Sequence, residues 1–252
     1  MARADSREES SRAFAERGGV AAVDRAFAIL AAFGAQDRSL TLAELGRRTG
    51  FYKSTILRLI ESIERAGFIR RLDNGSYAVG AGALHLGRLY QASFELDRYL
   101  LPALQNLARE SGETASFFVR DHDRRICLRR VEPDRPVRIV ISEGDRLPLD
   151  LGSAGKILLA FGRAPPKPLA AVRAAFVAIS RGERDADAAS VSVPVFADEG
   201  RLAGALSISG PVDRFDVTKT RAFALRLLAC AATLSERLGG DGSALRRARD
   251  EM

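Results

Sequence analysis

Lys53-Ser54-Thr55-Ile56-Leu57-Arg58-Leu59-Ile60-Glu61-Ser62-Ile63-Glu64-Arg65 is the stretch that decides the fold. Its apolar residues Ile56, Leu59, Ile60 and Ile63 recur at i, i+3, i+4 and i+7, which is one face of an α-helix. Ser54, Arg58, Glu61 and Arg65 fall on the opposite face, with Thr55 on the flank. Upstream, Thr41 precedes Leu42-Ala43-Glu44-Leu45, and a Thr with Glu three residues on is a capping box. Gly50 is the stop signal of that short helix. Before it, Val23, Ala26, Phe27 and Leu30 mark another helix. Downstream, two β-type runs, Phe68–Leu72 and Ser76–Val79, flank Asp73-Asn74-Gly75, an Asn-Gly hairpin signal. Three short helices and a hairpin within about 60 residues predict a winged helix-turn-helix.

The charge agrees with a nucleic-acid partner. The 252 residues carry 39 basic and 32 acidic side chains, a net charge of +7. Between Thr41 and Arg71 seven basic residues face three acidic ones, so more than half of the excess sits in this segment. In this geometry Arg58 can reach a guanine edge with two hydrogen bonds. Lys53, Ser54 and Thr55 sit at a helix start, where side chains and free N–H groups hold phosphate. Thr41, Arg70, Arg71 and Asn74 complete the expected DNA contacts.

Other classes are excluded or left without support. Apolar residues make up 46% and charged residues 28%, a globular composition. No apolar run reaches the roughly 18–20 residues of a membrane helix, and Met1–Arg17 lacks the core of a secretory signal. Cys127 and Cys230 are far apart, and His85 and His122 are the only histidines. No metal and no cofactor are therefore expected, and a reducing cytoplasm is the expected location.

The expected organisation is α+β. Residues 1–20 read as a disordered arm, 21–80 as the DNA-binding domain, 81–100 as a linker helix, 101–239 as a second domain and 240–252 as a flexible tail. Pro102 is expected to interrupt the helical pattern before Leu104. In the second domain Ala115–Val119, Ile126–Leu128, Val137–Ile141, Val191–Phe196 and Leu202–Ser209 read as strands. Ser153–Phe161, Leu169–Phe176 and Thr218–Leu238 read as helices. Gly152-Ser153-Ala154-Gly155 opens a helix whose free N–H groups suit a carboxylate. Ser207 and Ser209 share one face of their strand.

Val23–Leu30, Leu42–Leu45, Lys53–Leu59, and Gly67–Arg71 with Gly75–Gly80 together resemble the IclR family of bacterial transcription regulators. So do Ser111–Ala115, Arg129–Glu132, Ser153–Ala160, Val193–Phe196 and Leu206–Pro211. The resemblance covers about residues 20–238. It implies a winged helix-turn-helix, a linker helix and a C-terminal GAF-like effector-binding domain. It implies binding of double-stranded DNA at a roughly palindromic operator by a homodimer or homotetramer. It further implies control by a small organic acid. Carried onto this sequence, the effector residues are Ser153, Ala154, Gly155, Lys156, Ser207 and Ser209. Ser190 and Glu183, from the loop after Ser180, form a third wall. That loop resembles relatives that handle aromatic or other organic acids. Two departures touch the pocket rim. The stretch between Phe161 and Leu169 is shorter than in the family, and Ser180 stands where relatives often carry an acid.

Two other readings remain at this point. Ser153-Ala154-Gly155-Lys156 is an S-x-x-K pattern, as in serine acyl-transfer enzymes. Its partner motifs are missing, so the chain reads as no enzyme. A sensor module without specific DNA binding would be favoured if Arg58 paired with Glu61 or Glu64.

Overall fold

The computed structural model describes residues 19–34, 36–92, 97–133, 141–163 and 165–252. The chain divides into two units, residues 1–93 and 94–252. The expected arm lies outside the described residues, apart from Gly19 and Val20.

The first unit holds α1 (Ala21–Ala31), α2 (Leu42–Thr49) and α3 (Lys53–Arg65). The hairpin of β1 (Ile69–Arg71) and β2 (Tyr77–Val79) follows, then α4 (Ala81–Ala92). The capping box at Thr41 forms as the spacing predicts. Gly50 takes φ +72, and its N–H bonds Gly46 O at 2.9 Å, closing α2. A left-handed residue here favours glycine, which has no Cβ to clash. Ile29, Leu45, Ile56, Ile60, Ile63, Ile69 and Tyr77 form the core. Leu40 and Tyr77 exchange two 2.8 Å backbone bonds, so the hairpin gains a third short strand.

The second unit opens with α5 (Asp97–Ser111), and Pro102 lies inside this helix. The expected interruption does not occur, because Leu100, Leu104 and Leu107 still bury one stripe of α5 against the sheet. The linker expected at 81–100 is helical as α4 up to Ala92. Residues 93–96 are not described, and Asp97–Leu100 belong to α5. Of the expected strand Val137–Ile141 only Ile141 is described, outside any regular element.

Among the described residues six antiparallel strands form one sheet in the order β5-β4-β3-β8-β7-β6. They are β3 (Thr114–Asp121), β4 (Arg124–Val131), β5 (Arg146–Pro148), β6 (Ala178–Arg181), β7 (Ala188–Phe196) and β8 (Leu202–Pro211). Alternating side chains give the sheet two apolar faces. On one, Ala115, Phe117, Val191, Val193, Leu206 and Ile208 pack with α5 and with α8 (Val217–Arg237). On the other, Phe118, Cys127, Ala178 and Ala205 pack with Ala154, Ile157 and Leu158 of α6 (Gly152–Ala160). A short helix, α7 (Ala170–Ala175), follows α6.

The polar tail is not the flexible segment its composition suggests. Ser243–Asp250 form α9, and Leu245 is fully buried in the larger core. One buried leucine contributes about 2 kcal/mol. Arg246 pairs with Glu236 of α8, so the arginines leave the apolar anchor in place.

Candidate functional site

In the first unit α3 buries Ile56, Ile60 and Ile63 and leaves Lys53, Ser54, Arg58 and Glu61 exposed. Thr55 is half-buried. Arg65 pairs with Glu61 at 3.5 Å, both largely exposed, so the pair adds little stability. Glu64 accepts the Arg71 N–H at 3.0 Å and ties the hairpin to α3. Among the described residues nothing pairs with Arg58, so its guanidinium is available to a base edge.

The other expected contacts divide. Arg70 and Arg71 are exposed, and as neighbours on β1 they leave opposite faces of the hairpin. Asn74 uses its carboxamide oxygen inside the turn, accepting from Ser76 N at 3.0 Å and Ser76 Oγ at 2.7 Å. Thr41 Oγ1 accepts from Glu44 N at 3.2 Å and donates to Glu44 Oε2 at 2.8 Å. Thr41 is thus held as a cap, and its N–H helps keep the Glu44 carboxyl below its ordinary value of 4.5. Arg48, counted in the basic excess, is held structurally by Asp37 and by Ala32 O. Sequence reasoning missed Tyr52, 85% exposed just before α3, and exposed Leu57 within it. The signal was there, since neither fits the buried stripe.

In the second unit Ser153, Ala154, Ser190, Ser207 and Ser209 line one cleft, with Phe118, Arg125 and Arg184. Strand register explains the hydroxyls. Ser192 and Ser116 both stand opposite Ser207, while Ser190 and Thr114 stand opposite Ser209. Residues opposite one another share a face, and so do positions two apart. A hydroxyl row therefore crosses β3, β8 and β7. Ser153 Oγ donates to Ser190 Oγ and meets Ser192 Oγ, each at 2.7 Å, and Ser192 meets Ser207 at 2.7 Å.

Gly155, Lys156 and Glu183 are not in that lining. A Cβ on Gly155 would stand 2.1 Å from Leu149 O, so this glycine is required by close packing of α6. Lys156 Nζ pairs with Glu183 and donates to Ile179 O at 3.1 Å. An acyl-transfer reading needs that amine beside Ser153, and it is directed elsewhere. Glu183 Oε2 accepts from Gly152 N at 3.1 Å, so a carboxylate of the chain itself occupies the start of α6. Burial opposes its ionisation, yet Lys156, Gly152 N–H and the Ser180 hydroxyl outweigh burial and hold its carboxyl below the ordinary value. Ser180 thereby supports the acid three residues on.

Sequence reasoning missed Arg125. It is 4% exposed, and its Nη1 donates to Pro148 O and Leu151 O. Its Nε is buried with no partner. Burial, and then the charge of Arg184, lower its pKa to about 10, so it stays protonated at neutral pH. Its guanidinium lies 5.6 Å from the centroid of the Phe118 ring.

The IclR helix-turn-helix model matches residues 22–73, and the model of the bacterial transcriptional regulator IclR C-terminal domain matches 89–165 and 166–236. The chain belongs to the IclR family. It is a DNA-binding transcriptional regulator of α+β fold, with an N-terminal helix-turn-helix and a C-terminal IclR domain. It is 26% identical over 226 residues to the HTH-type transcriptional regulator KipR of Bacillus subtilis, covering 80% of this chain and 90% of KipR. It is 32% identical over 146 residues to the transcriptional repressor IclR of Escherichia coli, covering 57% of this chain and 53% of that protein. Among solved structures, the IclR regulator of Alicyclobacillus acidocaldarius aligns with a TM-score of 0.76 at 25% identity, over 87% of this chain and 99% of that one. An IclR homologue from Microbacterium hydrocarbonoxydans complexed with 4-hydroxybenzoate aligns at 0.69 and 20% identity, over 90% and 100%. Within this IclR chain, no helix among the described residues is long and apolar enough to cross a membrane.

Proposed function

We propose that this regulator reads a roughly palindromic operator with α3 and changes its DNA affinity when a small organic acid enters the cleft of its second unit. The observation that carries the proposal is the cleft itself, where serine hydroxyls from four segments and two arginines converge at the start of α6. Ser54, Thr55 and Arg58 contact bases or phosphates, and Lys53, Arg70 and Arg71 hold the backbone. Asn74 supports the turn between the strands. Two copies pair to match the two half-sites. Exposed Leu84, Leu86 and Leu89 of α4 and exposed Val23 and Phe27 of α1 support a pairing surface for a second copy. The protein works in the cytoplasm, where its operator is. A homologue of the same fold that holds 4-hydroxybenzoate supports an acid as effector. The effector acts only through its different affinity for the two states of the regulator.

Fluorescence anisotropy on DNA flanking the gene tests this, at two salt concentrations, with a scrambled duplex and with small organic acids added. The expected result is tight, salt-sensitive binding to the flanking DNA, shifted by at least one acid. Equal weak binding to both duplexes with every acid would sink the proposal.

A further inference from the structure

We propose that Arg125 is the anion-binding group of this cleft, and that it takes a short aliphatic hydroxy- or oxo-carboxylate in preference to an aromatic acid. The inference rests on the reading of the cleft as an effector site and specifies its ligand.

Arg125 is a buried cation without a carboxylate partner. Among the described residues its bonds are the two from Nη1 to Pro148 O and Leu151 O. Those bonds fix the plane of the guanidinium. The edge formed by Nε and Nη2 has no acceptor among the described residues, and Nε is fully enclosed. Nη2 is not enclosed, so it is the guanidinium nitrogen left to meet an anion in the cleft, through a charge-assisted N–H···O bond. A buried charge left in this state is unfavourable until an anion arrives. Of the chain's own acids, Asp150 acts on Arg125 only through space, with no ion pair among the described residues, and Glu183 is committed to Gly152 N–H and Lys156. Arg184, also in the lining, adds a second positive charge toward the same space.

The rest of the lining sets the body of the ligand. Ser190 Oγ accepts from Ser153, which leaves its own proton for a ligand oxygen. Ser209 lines the same wall two residues from Ser207. These hydroxyls suit a ligand with oxygens on carbons next to its carboxylate. The aromatic side chain of the lining is Phe118, and its ring already carries the guanidinium of Arg125. An aromatic acid would find alanines, Ile141 and hydroxyls in place of a free ring face.

The test is isothermal titration of the full chain with glycerate, lactate, pyruvate and tartrate, against benzoate, 4-hydroxybenzoate and uncharged glycerol. At least one of the first four is expected to bind, with the aromatic acids and glycerol at least about tenfold weaker. Arg125→Gln is expected to lose about tenfold or more, as expected for a charge-assisted bond. Arg125→Lys, which keeps the charge, is expected to fall between, and it serves where the Gln variant does not fold. Tighter binding of the aromatic acids, unchanged in either variant, overturns this inference and leaves an acid effector standing. No binding by any acid overturns both.

Discussion

The two units present their chemistry in opposite ways. In the helix-turn-helix the side chains proposed to meet DNA stand in water, with Arg58, Lys53 and Ser54 exposed. In the second unit they are enclosed: Ser153, Ser192 and Ser207 are at most 2% exposed and Arg125 is 4% exposed. The proposed ligands account for the difference. A duplex is a large polyanion that cannot enter a cleft, so its reader must keep solvated groups on a rigid face. A small acid has few contacts to offer, so its site must surround it and strip water from it. The reading face therefore tolerates substitution without loss of fold, while the cleft is part of the packing.

The largest effect expected from this contrast is at glycine. Gly155→Ala places a methyl group 2.1 Å from Leu149 O and 2.9 Å from Arg125 Nη1. Backbone must move, and the second unit is expected to lose about 3 kcal/mol or more, read as a lower melting midpoint. Gly50→Ala meets nothing within 4 Å and suffers only its φ of +72. About 1 kcal/mol is expected there. Equal costs at the two positions would break the contrast.

The next effect lies on the exposed side. Arg58→Ala is expected to weaken operator binding by about 1–3 kcal/mol, roughly tenfold to a hundredfold, and to relax one base position. The melting curve should not move, since Arg58 is exposed. Wild-type affinity in this variant would mean that α3 reads DNA through another face.

The same division decides what the sequence made legible. α3 is a local pattern: its stripe, its polar back and the capped helix before it lie within 25 residues, and each forms where spacing places it. The cleft is assembled by strand pairing between segments far apart in sequence. Ser207 and Ser209 were visible as an alternating pair, but Ser116 and Ser192 join them only through register. Arg125 had no local mark at all, because Arg124-Arg125 reads as an ordinary solvated strand edge. Its burial comes from the turn at 148–151 folding over it. Thr41 and Asn74 show the converse case. Both are polar, and both are engaged by their own turn. The tail failed for a related reason: one leucine among arginines carries little periodicity, yet it is enough to dock α9.

A smaller effect separates the cleft's packing from its recognition. Ser207 Oγ meets Ser192 and donates to Val191 O at 3.2 Å. Ser207→Ala is expected to cost about 1 kcal/mol of stability and to weaken the acid response severalfold. DNA affinity without acid should stay at the wild-type value, measured by anisotropy. A fall in acid-free DNA affinity as large as that of Arg58→Ala would place Ser207 in the path to DNA and not in the ligand site.

The smallest effect is at the exposed cap of α2 in the first unit. Thr41→Ala removes the cap and is expected to destabilise this helix by about 1 kcal/mol, seen as faster amide exchange in α2 and unchanged exchange in α8. The pH dependence carries a definite sign. Thr41 N–H, and then its hydroxyl, keep the folded pKa of Glu44 below the ordinary 4.5. A lowered carboxyl stabilises the fold above the unfolded value and loses that contribution as pH falls through the folded one. Glu44→Gln should therefore differ from wild type at neutral pH and converge with it as pH drops below about 4.5. A difference that persists unchanged in acid would show that Glu44 acts by shape and not by charge. The cap would then join the second unit's glycines as a packing constraint, and the contrast between the units would narrow to their ligands.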